Sequence, residues 1–327
     1  MSCLCNAVVF EGEESMSGPV VECVPNFSEG TDARRVGAIV AAMRVPGVHL
    51  LDWSMDAAHN RSVVTVAGDP ASVVESAVRG ACKAAQLIDL TRQQGVHPRI
   101  GAADVIPFVP ISGIKLEQCA MLARQAGQEI WRRCNVPVFL YGAAAARPDR
   151  ANLEEVRRGQ FEGLREAVVK ESSRRPDIGG PGLHPTAGAC AVGARKFLVA
   201  YNIYFDSADV AMVRAIAREI RAASGGLKGV RAMGVLAQGR AQLAMDITDL
   251  EGTPLSSVFR TVTDLARRHK ALPVEGEVIG LLPEAACERE SEWMRQLIGF
   301  DPQTKILERR LEVQVARGGE ERVAAED

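Results

Sequence analysis

The stretch PDIGGPGLHPTAG, residues 176–188, divides this sequence into two halves. It contains too much glycine and proline for a regular helix or strand, so we interpret it as the connection between two folded units. At 327 residues the chain is long for one domain and sufficient for two. A plain linker and a loop that binds a ligand would have the same composition, so both interpretations stay open at this point.

The half before this stretch alternates between strand and helix patterns. Apolar and β-branched runs predict strands at residues 20–24, 48–53, 61–67, 106–111 and 136–141. Apolar residues at helical spacing predict helices at residues 36–43, 71–88 and 116–132. Asp69 and Pro70 supply an N-cap and a first-turn proline for the second of these helices.

The half after it has the same order of elements, without a visible repeat of residues. Strands are predicted at residues 197–205, 230–236, 241–247, 274–282 and 306–313. Helices are predicted at residues 210–220, after Pro254 and at residues 285–297. The dipeptide Gln238-Gly239 separates two predicted strands and indicates a hairpin turn.

The shared order predicts an α+β fold with two ferredoxin-like (split βαβ) subdomains, each a mainly antiparallel sheet with helices packed on one face. Neither GxGxxG nor GxxxxGK(S/T) follows a predicted strand, which disfavours a doubly wound nucleotide-binding sheet. We expect the subdomains at residues 19–194, including the Gly/Pro-rich stretch, and 195–314. Residues 1–18 are expected to form a disordered leader and residues 315–327 a disordered tail.

Composition and charge exclude several classes of protein. A net charge of -2 gives no electrostatic basis for binding nucleic acid. No run approaches the roughly 18 apolar residues of a membrane span, so we expect a cytoplasmic protein without a membrane partner. The 8 cysteines include no CxxC pair, which predicts neither a disulfide framework nor a zinc site.

The segment GVHPRIGAAD, residues 95–104, presents a histidine outside any apolar periodicity. His97 precedes a proline, which restricts it to extended backbone, and Gly95 and Gly101 let the chain turn on either side. An imidazole has a pKa near ~6.5 and can accept and return a proton near neutral pH. A general acid/base and a loop histidine that bonds a carbonyl are equally compatible with this spacing.

Charged residues flank His97 and the segment HNRS at residues 59–62. Arginine suits the bidentate capture of carboxylates, although pairing with a nearby acid is its commoner role. An aspartate can orient a histidine, and Asp52, Asp56 and Asp104 are candidates for that task. The predicted substrate-binding residues are Arg61, Arg99, Asp56, Asp104 and Asn60. Since no HxH or HxxxH spacing occurs, no metal is predicted.

Several long segments carry a family resemblance. They are VVECVPNFSEG from Val20, HNRSVVTVAGDP from His59, LIDLTRQQGVHPRIGAADVIPFVPISG from Leu87, VPVFLYGAAA from Val136, GARKFLVAYNI from Gly193 and VIGLLP from Val278. In these segments the chain resembles the glutamate formiminotransferase family, which includes the formiminotransferase half of formiminotransferase-cyclodeaminase. The resemblance covers most of the chain.

The resemblance implies a transferase of one-carbon groups in histidine degradation. The enzyme would move the formimino group from N-formimino-L-glutamate to tetrahydrofolate, its co-substrate, yielding 5-formiminotetrahydrofolate and L-glutamate. It also implies a homodimer, a separate cyclodeaminase as partner, and His97 as the acid/base catalyst. The folate loop of the family corresponds to Gly179, Gly180, Pro181, Gly182, Leu183, His184, Pro185, Thr186, Ala187 and Gly188.

Two other functions stay open on the sequence. The same fold could act on formiminoglycine or 5-formyltetrahydrofolate, or it could be a folate-binding module without turnover. The acid that supports His97 and the role of His184 are also left open.

Overall fold

The computed structural model describes residues 18–288 and 291–326, and the side chains of those up to residue 316. Contacts divide the chain into two compact units. One comprises the described residues up to Arg195 with the chain from Val313, and the other is Lys196–Glu312. Except for Gly18, the predicted leader lies outside the described residues.

The first unit is built on a seven-stranded mixed sheet. Its strands are β1 (Val20–Cys23), β2 (Asn26–Phe27), β3 (Val48–Asp56), β4 (Arg61–Gly68), β5 (Ala103–Ser112), β6 (Val138–Gly142) and β7 (Cys190–Ala194). β4 pairs with β3 on one side and with the two short strands β1 and β2 on the other, and all these pairings are antiparallel. β5 pairs antiparallel with β1 and β2 and parallel with β7, which pairs parallel with β6.

Helices cover both faces of this sheet. The helices of this unit are α1 (Ala33–Ala42), α2 (Pro70–Leu87), α3 (Leu116–Cys134), α4 (Leu153–Val156) and α5 (Gln160–Lys170). α1, α2 and α3 bury their apolar stripes in one core against the sheet. α4 and α5 add a second core with Val105, Phe139 and Ala191, a layer that the predicted single-faced arrangement did not include. Parallel strands such as β6 and β7 are normally covered on both faces.

The second unit is an antiparallel four-stranded sheet in the order β11-β8-β10-β9. The strands are β8 (Val199–Phe205), β9 (Val230–Ala237), β10 (Arg240–Ile247) and β11 (Pro273–Ile279). Helices α6 (Val210–Ile220) and α7 (Leu255–Arg268) pack into its core. Short helices α8 (Glu292–Arg295) and α9 (Pro302–Lys305) precede α10 (Leu307–Glu326). Together the two sheets and their helices confirm the α+β class.

Local signals behaved as predicted. Asp69 caps α2 by accepting a hydrogen bond from the Ser72 amide at 3.0 Å, and Pro70 begins the helix. Gln238 and Gly239 have φ values of 52° and 74°, the conformation that a two-residue hairpin turn requires, and they join β9 to β10. Within the described residues no helix has the length and apolar character needed to cross a membrane.

Several predictions made from the sequence are wrong. Residues 176–188 do not connect the units but form a loop inside the first one, because β7 follows them and completes its sheet. Residues 306–313, predicted as a strand, lie almost entirely in α10. Its Leu, Glu, Arg and Ala residues favour helix, and no proline interrupts them.

A further correction concerns the cysteines. Cys82 on α2 and Cys134 at the end of α3 form a disulfide, with Cα atoms 5.4 Å apart. The two residues are 52 positions apart in the sequence, so a short cysteine motif could not have predicted the pair. They meet because α2 and α3 pack side by side on the sheet.

Candidate active site

His97 lies on the loop that leads from α2 to β5, all within the first unit. Both ends of this loop are hydrogen-bonded to residues 186–189, so the two His-Pro motifs lie in one bonded pair of loops. The Leu90 amide donates to Thr186 O at 2.8 Å and the Ala102 amide donates to Ala187 O at 2.9 Å. The Ala189 amide returns a hydrogen bond to Ile100 O at 2.9 Å.

Two glycines permit this close approach. Gly101 and Gly188 form an isolated antiparallel bridge. A Cβ atom at Gly101 would collide with the carbonyl of Ala189, and one at Gly188 with the carbonyl of Ile100. Gly188 also has a φ of 69°, which other residues rarely adopt. The glycine that follows each His-Pro motif is therefore required by the close packing of the two loops.

The imidazole of His97 is held in one tautomer. Its Nδ1 lies 2.8 Å from the carbonyl oxygen of Pro98. Because a carbonyl only accepts, Nδ1 carries the proton and Nε2 is left as the basic nitrogen. Burial, followed by the charges of Arg61 and Arg157, lowers the pKa of His97 to about 3. The ring is therefore neutral at neutral pH and can act as a proton acceptor.

A buried carboxylate lies next to this histidine. Asp104 is fully buried, and its Oδ2 accepts hydrogen bonds from Arg61 Nη1 at 2.7 Å and from Arg157 Nη2. Its Oδ1 accepts from the Ile100 amide at 2.8 Å. Burial would raise the pKa of Asp104, but the two guanidinium charges and these hydrogen bonds hold it well below its usual range. Asp104 is thus ionised and anchors two cations.

The cluster carries more positive than negative charge, because two guanidinium groups share one carboxylate. Arg61 begins β4 and also donates from Nε to Asn26 Oδ1 at 3.1 Å. Arg157 follows α4, and its Nε is buried without a hydrogen-bond partner in the part of the chain that the structure describes. Buried donors are usually satisfied, so this orphan favours an anionic ligand at the cluster.

Arg99, predicted to bind substrate, has a different environment. Its Nε donates to Gln93 Oε1 at 2.6 Å, and Nη2 donates to Gln93 O at 3.1 Å and Glu162 Oε1 at 2.8 Å. Nη1 donates to Glu162 Oε2 at 3.1 Å and Gln160 Oε1 at 3.5 Å. All five N–H groups of the guanidinium are therefore engaged. Arg99 therefore bonds the His97 loop to α5.

Asn60 also holds loops together. It has a φ of 47°, and its Oδ1 accepts from the Gly30 amide at 2.9 Å while Nδ2 donates to Gln94 O at 2.6 Å. Asp56 bonds the neighbouring His59, whose ring centre is 6.2 Å from that of His97. Asp56 therefore contacts His59, and His59 in turn is the neighbour of His97. Asn60 bonds the turn that contains His59 to the adjacent loops.

The Gly/Pro-rich loop combines an exposed tip with a buried base. Gly179, Gly180, Pro181 and Gly182 are exposed, whereas Ala187 and Gly188 are buried. His184 Nδ1 accepts hydrogen bonds from the amides of Thr186 at 3.3 Å and Ala187 at 3.0 Å. The histidine of the second motif therefore shapes the loop. Leu183 packs on the core, and Pro185 is exposed beside it.

The sequence did not point to every residue of this site. Arg157, Gln93, Glu162 and Asn26 all contact predicted site residues, but none was singled out. Arg157 and Glu162 lie in a charged stretch that showed no distinctive motif. Only their pairing with Asp104 and Arg99, 53 and 63 positions away, reveals them.

The fold and the site define an α+β protein with a neutral imidazole beside an arginine pair suited to an anionic ligand. Comparison with known families extends this result. Residues 20–195 match the model of the formiminotransferase domain, N-terminal subdomain, and residues 200–296 match that of the formiminotransferase domain. The chain belongs to the formiminotransferase domain family.

Similar proteins are found in distant organisms. A glutamate formimidoyltransferase of Streptococcus pyogenes serotype M1 is 43% identical over 295 residues, covering 89% of this chain and 98% of that protein. One from Thermoplasma acidophilum is 43% identical over 298 residues, covering 90% and 97%. The formimidoyltransferase-cyclodeaminase of Mus musculus is 36% identical, and the match covers 88% of this chain and 59% of the mouse protein.

Proposed function

We propose that this protein is a glutamate formiminotransferase. It would transfer the formimino group of N-formimino-L-glutamate to tetrahydrofolate, giving 5-formiminotetrahydrofolate and L-glutamate. The names of the two relatives at 43% identity support this reaction. The structural observation that carries the proposal is the neutral His97 beside the positively charged cluster of Arg61, Asp104 and Arg157.

The cluster suits the donor substrate. N-formimino-L-glutamate carries two carboxylates, and guanidinium groups bind carboxylates with paired, directional hydrogen bonds. Arg61 is already oriented by Asp104 and Asn26, so little side-chain entropy would be lost when a carboxylate binds. The Nε of Arg157, which has no hydrogen-bond partner among the described residues, offers a further donor. Asp104 itself would orient the arginines rather than contact substrate.

His97 would act as the general acid/base. Its Nε2 could accept the proton of the attacking nitrogen of tetrahydrofolate, a role typically worth ~10²- to 10⁴-fold in rate. Burial, and after it the charges of Arg61 and Arg157, lowers the pKa of His97, and a carboxylate bound at the two arginines would offset the part due to their charges. Donor binding would thereby make His97 more basic, which couples binding to proton transfer. Holding two substrates together would supply much of the remaining acceleration.

Tetrahydrofolate would bind at the Gly/Pro-rich loop. Gly179, Gly180 and Gly182 expose backbone without side chains, which leaves room for a flat ring system. The base of the loop is hydrogen-bonded to the loop of His97, so a folate held there would be near the proton acceptor. Within the described residues no three His, Cys, Asp or Glu side chains are grouped to hold a metal ion. The proposed reaction uses none.

We further propose that the protein works as a homodimer in the cytoplasm and in histidine degradation, with a separate cyclodeaminase acting on its product. The resemblance to the family supports these points, and the mouse relative is named for both activities. Light scattering of the purified protein would test the dimer. We also propose that residues 19–194 and 195–314 are the two subdomains of the transferase.

The first experiment mixes the purified protein with formiminoglutamate and tetrahydrofolate and follows the folate absorbance after acid conversion of the product. We expect His97→Ala to abolish turnover. His184→Ala should weaken tetrahydrofolate binding while leaving proton transfer intact, because His184 shapes the loop. Near-normal turnover of His97→Ala would refute the assigned role. Parallel assays with formiminoglycine and 5-formyltetrahydrofolate test the alternative substrates, and folate binding without transfer would indicate a binding module.

A further inference from the structure

A second histidine lies beside His97 and is oriented by a carboxylate. Asp56 ends β3, and His59 lies in the turn that leads to β4. Asp56 Oδ1 accepts from the His59 amide at 2.9 Å, and its Oδ2 lies 2.7 Å from His59 Nδ1. Because burial is outweighed by these hydrogen bonds, the pKa of Asp56 is lowered and the group is a carboxylate. A carboxylate only accepts, so His59 Nδ1 carries a proton and Nε2 is the nitrogen available for chemistry.

The distance between the two histidines is set by several contacts. Their ring centres are 6.2 Å apart with an angle of 62° between the planes. Asn60 Nδ2 donates to Gln94 O, and Gln93 Nε2 donates to Asn60 O at 3.0 Å, so the turn of His59 is bonded to the loop of His97. A Cβ atom at Gly95 would press against the carbonyl of His59 at 2.5 Å. The pair is therefore built into the packing of the two loops.

The charges around the two rings are opposite. His97 faces the positive charges of Arg61 and Arg157, which outweigh the attraction of Asp104. His59 faces the carboxylate of Asp56. A proton on His59 is thus next to a negative charge, whereas a proton on His97 is next to excess positive charge. The opposite charges suit His59 to give a proton and His97 to accept one.

We propose that His59, positioned by Asp56, is the proton donor to the departing amine, while His97 accepts the proton of the attacking nitrogen. The inference rests on the proposed formimino transfer and divides its acid/base work between two residues. A bond forms between the tetrahydrofolate nitrogen and the formimino carbon while the C=N π pair moves onto the imino nitrogen, and the proton of the attacking nitrogen passes to His97 Nε2. His59 enters the step as the imidazolium, with protons on both ring nitrogens. The C=N bond re-forms as the bond from the carbon to the glutamate nitrogen breaks, and the glutamate nitrogen keeps that electron pair and takes the proton of His59 Nε2. Proton exchange with water restores both rings.

The test varies the basicity of the leaving amine. Single-turnover rates are measured for wild type, His59→Gln, Asp56→Asn and His97→Gln with formiminoglutamate and with an N-formimino donor whose leaving group is a weakly basic aryl amine. A weakly basic amine departs without a proton, so the loss in His59→Gln should shrink with that donor. With formiminoglutamate we expect a loss of roughly 10²- to 10⁴-fold in His59→Gln. His97→Gln should be impaired with both donors.

Asp56→Asn and a distant control separate catalysis from folding. Asp56→Asn should lower the rate less than His59→Gln, with the same dependence on the leaving amine. His269→Gln, in the other unit, should keep wild-type rates, and thermal melting shows whether each variant is folded. Equal losses with both donors, or a full rate in His59→Gln, would overturn the role of His59. A wild-type protein without formiminoglutamate activity would overturn the proposed function instead. The leaving-group comparison would then be made with the donor that the wild-type protein does turn over.

Discussion

The guanidinium of Arg61 and the carboxylate of Asp104, 43 positions apart in the sequence, meet at 2.7 Å in the interior of the first unit. Asp104 is fully buried and Arg61 is 8% exposed. Burial of such a pair is costly unless the geometry and additional hydrogen bonds compensate. The Ile100 amide and Arg157 supply those bonds. The pair therefore links the loop of His97 to the folded core, and several predictions depend on it.

Replacing Asp104 with asparagine should destabilise the protein strongly. Arg61 and Arg157 would be left buried without their carboxylate, and breaking a buried pair typically costs about 3–5 kcal/mol. Urea denaturation measures the change. The matched control is Glu166→Gln, which removes an exposed ion pair with Lys170 and should cost at most about 1 kcal/mol. Equal effects in the two variants would contradict a structural role of the buried pair.

Replacing Arg157 with glutamine should raise the KM for formiminoglutamate. Hydrogen bonds to charged groups are worth about 1.5–3 kcal/mol, so a rise of about 10- to 150-fold is expected. Arg157→Lys should restore part of the affinity, since it keeps the charge but not the bidentate geometry.

Arg99→Lys is the contrasting variant, because the donors of Arg99 are all engaged by its neighbours. It should lower stability and kcat without a selective change in the KM for the donor. If Arg99→Lys and not Arg157→Gln weakened donor binding, the two arginines would have been assigned the wrong roles.

The low pKa of His97 predicts acid sensitivity. The folded protein has this pKa at about 3, whereas the unfolded chain has it near ~6.5. Between these values the unfolded state binds more protons, so the contribution of His97 to stability is fully present above about pH 6.5 and is lost as the pH falls towards 3. His97→Gln should therefore be less sensitive to acid than wild type in this window. Urea unfolding from pH 7 to 4 compares them, and parallel curves would argue against the lowered pKa.

Gly188→Ala should destabilise the first unit and lower activity. The added Cβ would collide with Ile100 O, and the φ of 69° is unfavourable for alanine. Since this contact joins the loop of His97 to the Gly/Pro-rich loop, misplacement of His97 is expected as well. Gly182→Ala is the control, because a Cβ there has no neighbour within 4 Å. Its unfolding free energy should stay within about 0.5 kcal/mol of wild type.

The sequence by itself determined features that depend on a few neighbouring residues. Asp69 and Pro70 predicted the start of α2, Gln238-Gly239 predicted the hairpin, and the glycines and proline around His97 predicted a histidine on a stiff loop. Each signal acts over about four residues, because capping, turn conformation and the restriction before proline are local. The long matching segments also predicted the family to which the chain belongs.

Only the tertiary structure decided which charges meet. Arg99 is saturated by Glu162 and Gln93, whereas Arg157, which no pattern singled out, shares Asp104 with Arg61. It also placed His59 beside His97. An arginine has the same intrinsic chemistry wherever it occurs. The packing of α4, α5 and the sheet determines which partners Arg99 and Arg157 contact. The ion pairs among these contacts join residues 43 to 63 positions apart, far beyond the range of local signals.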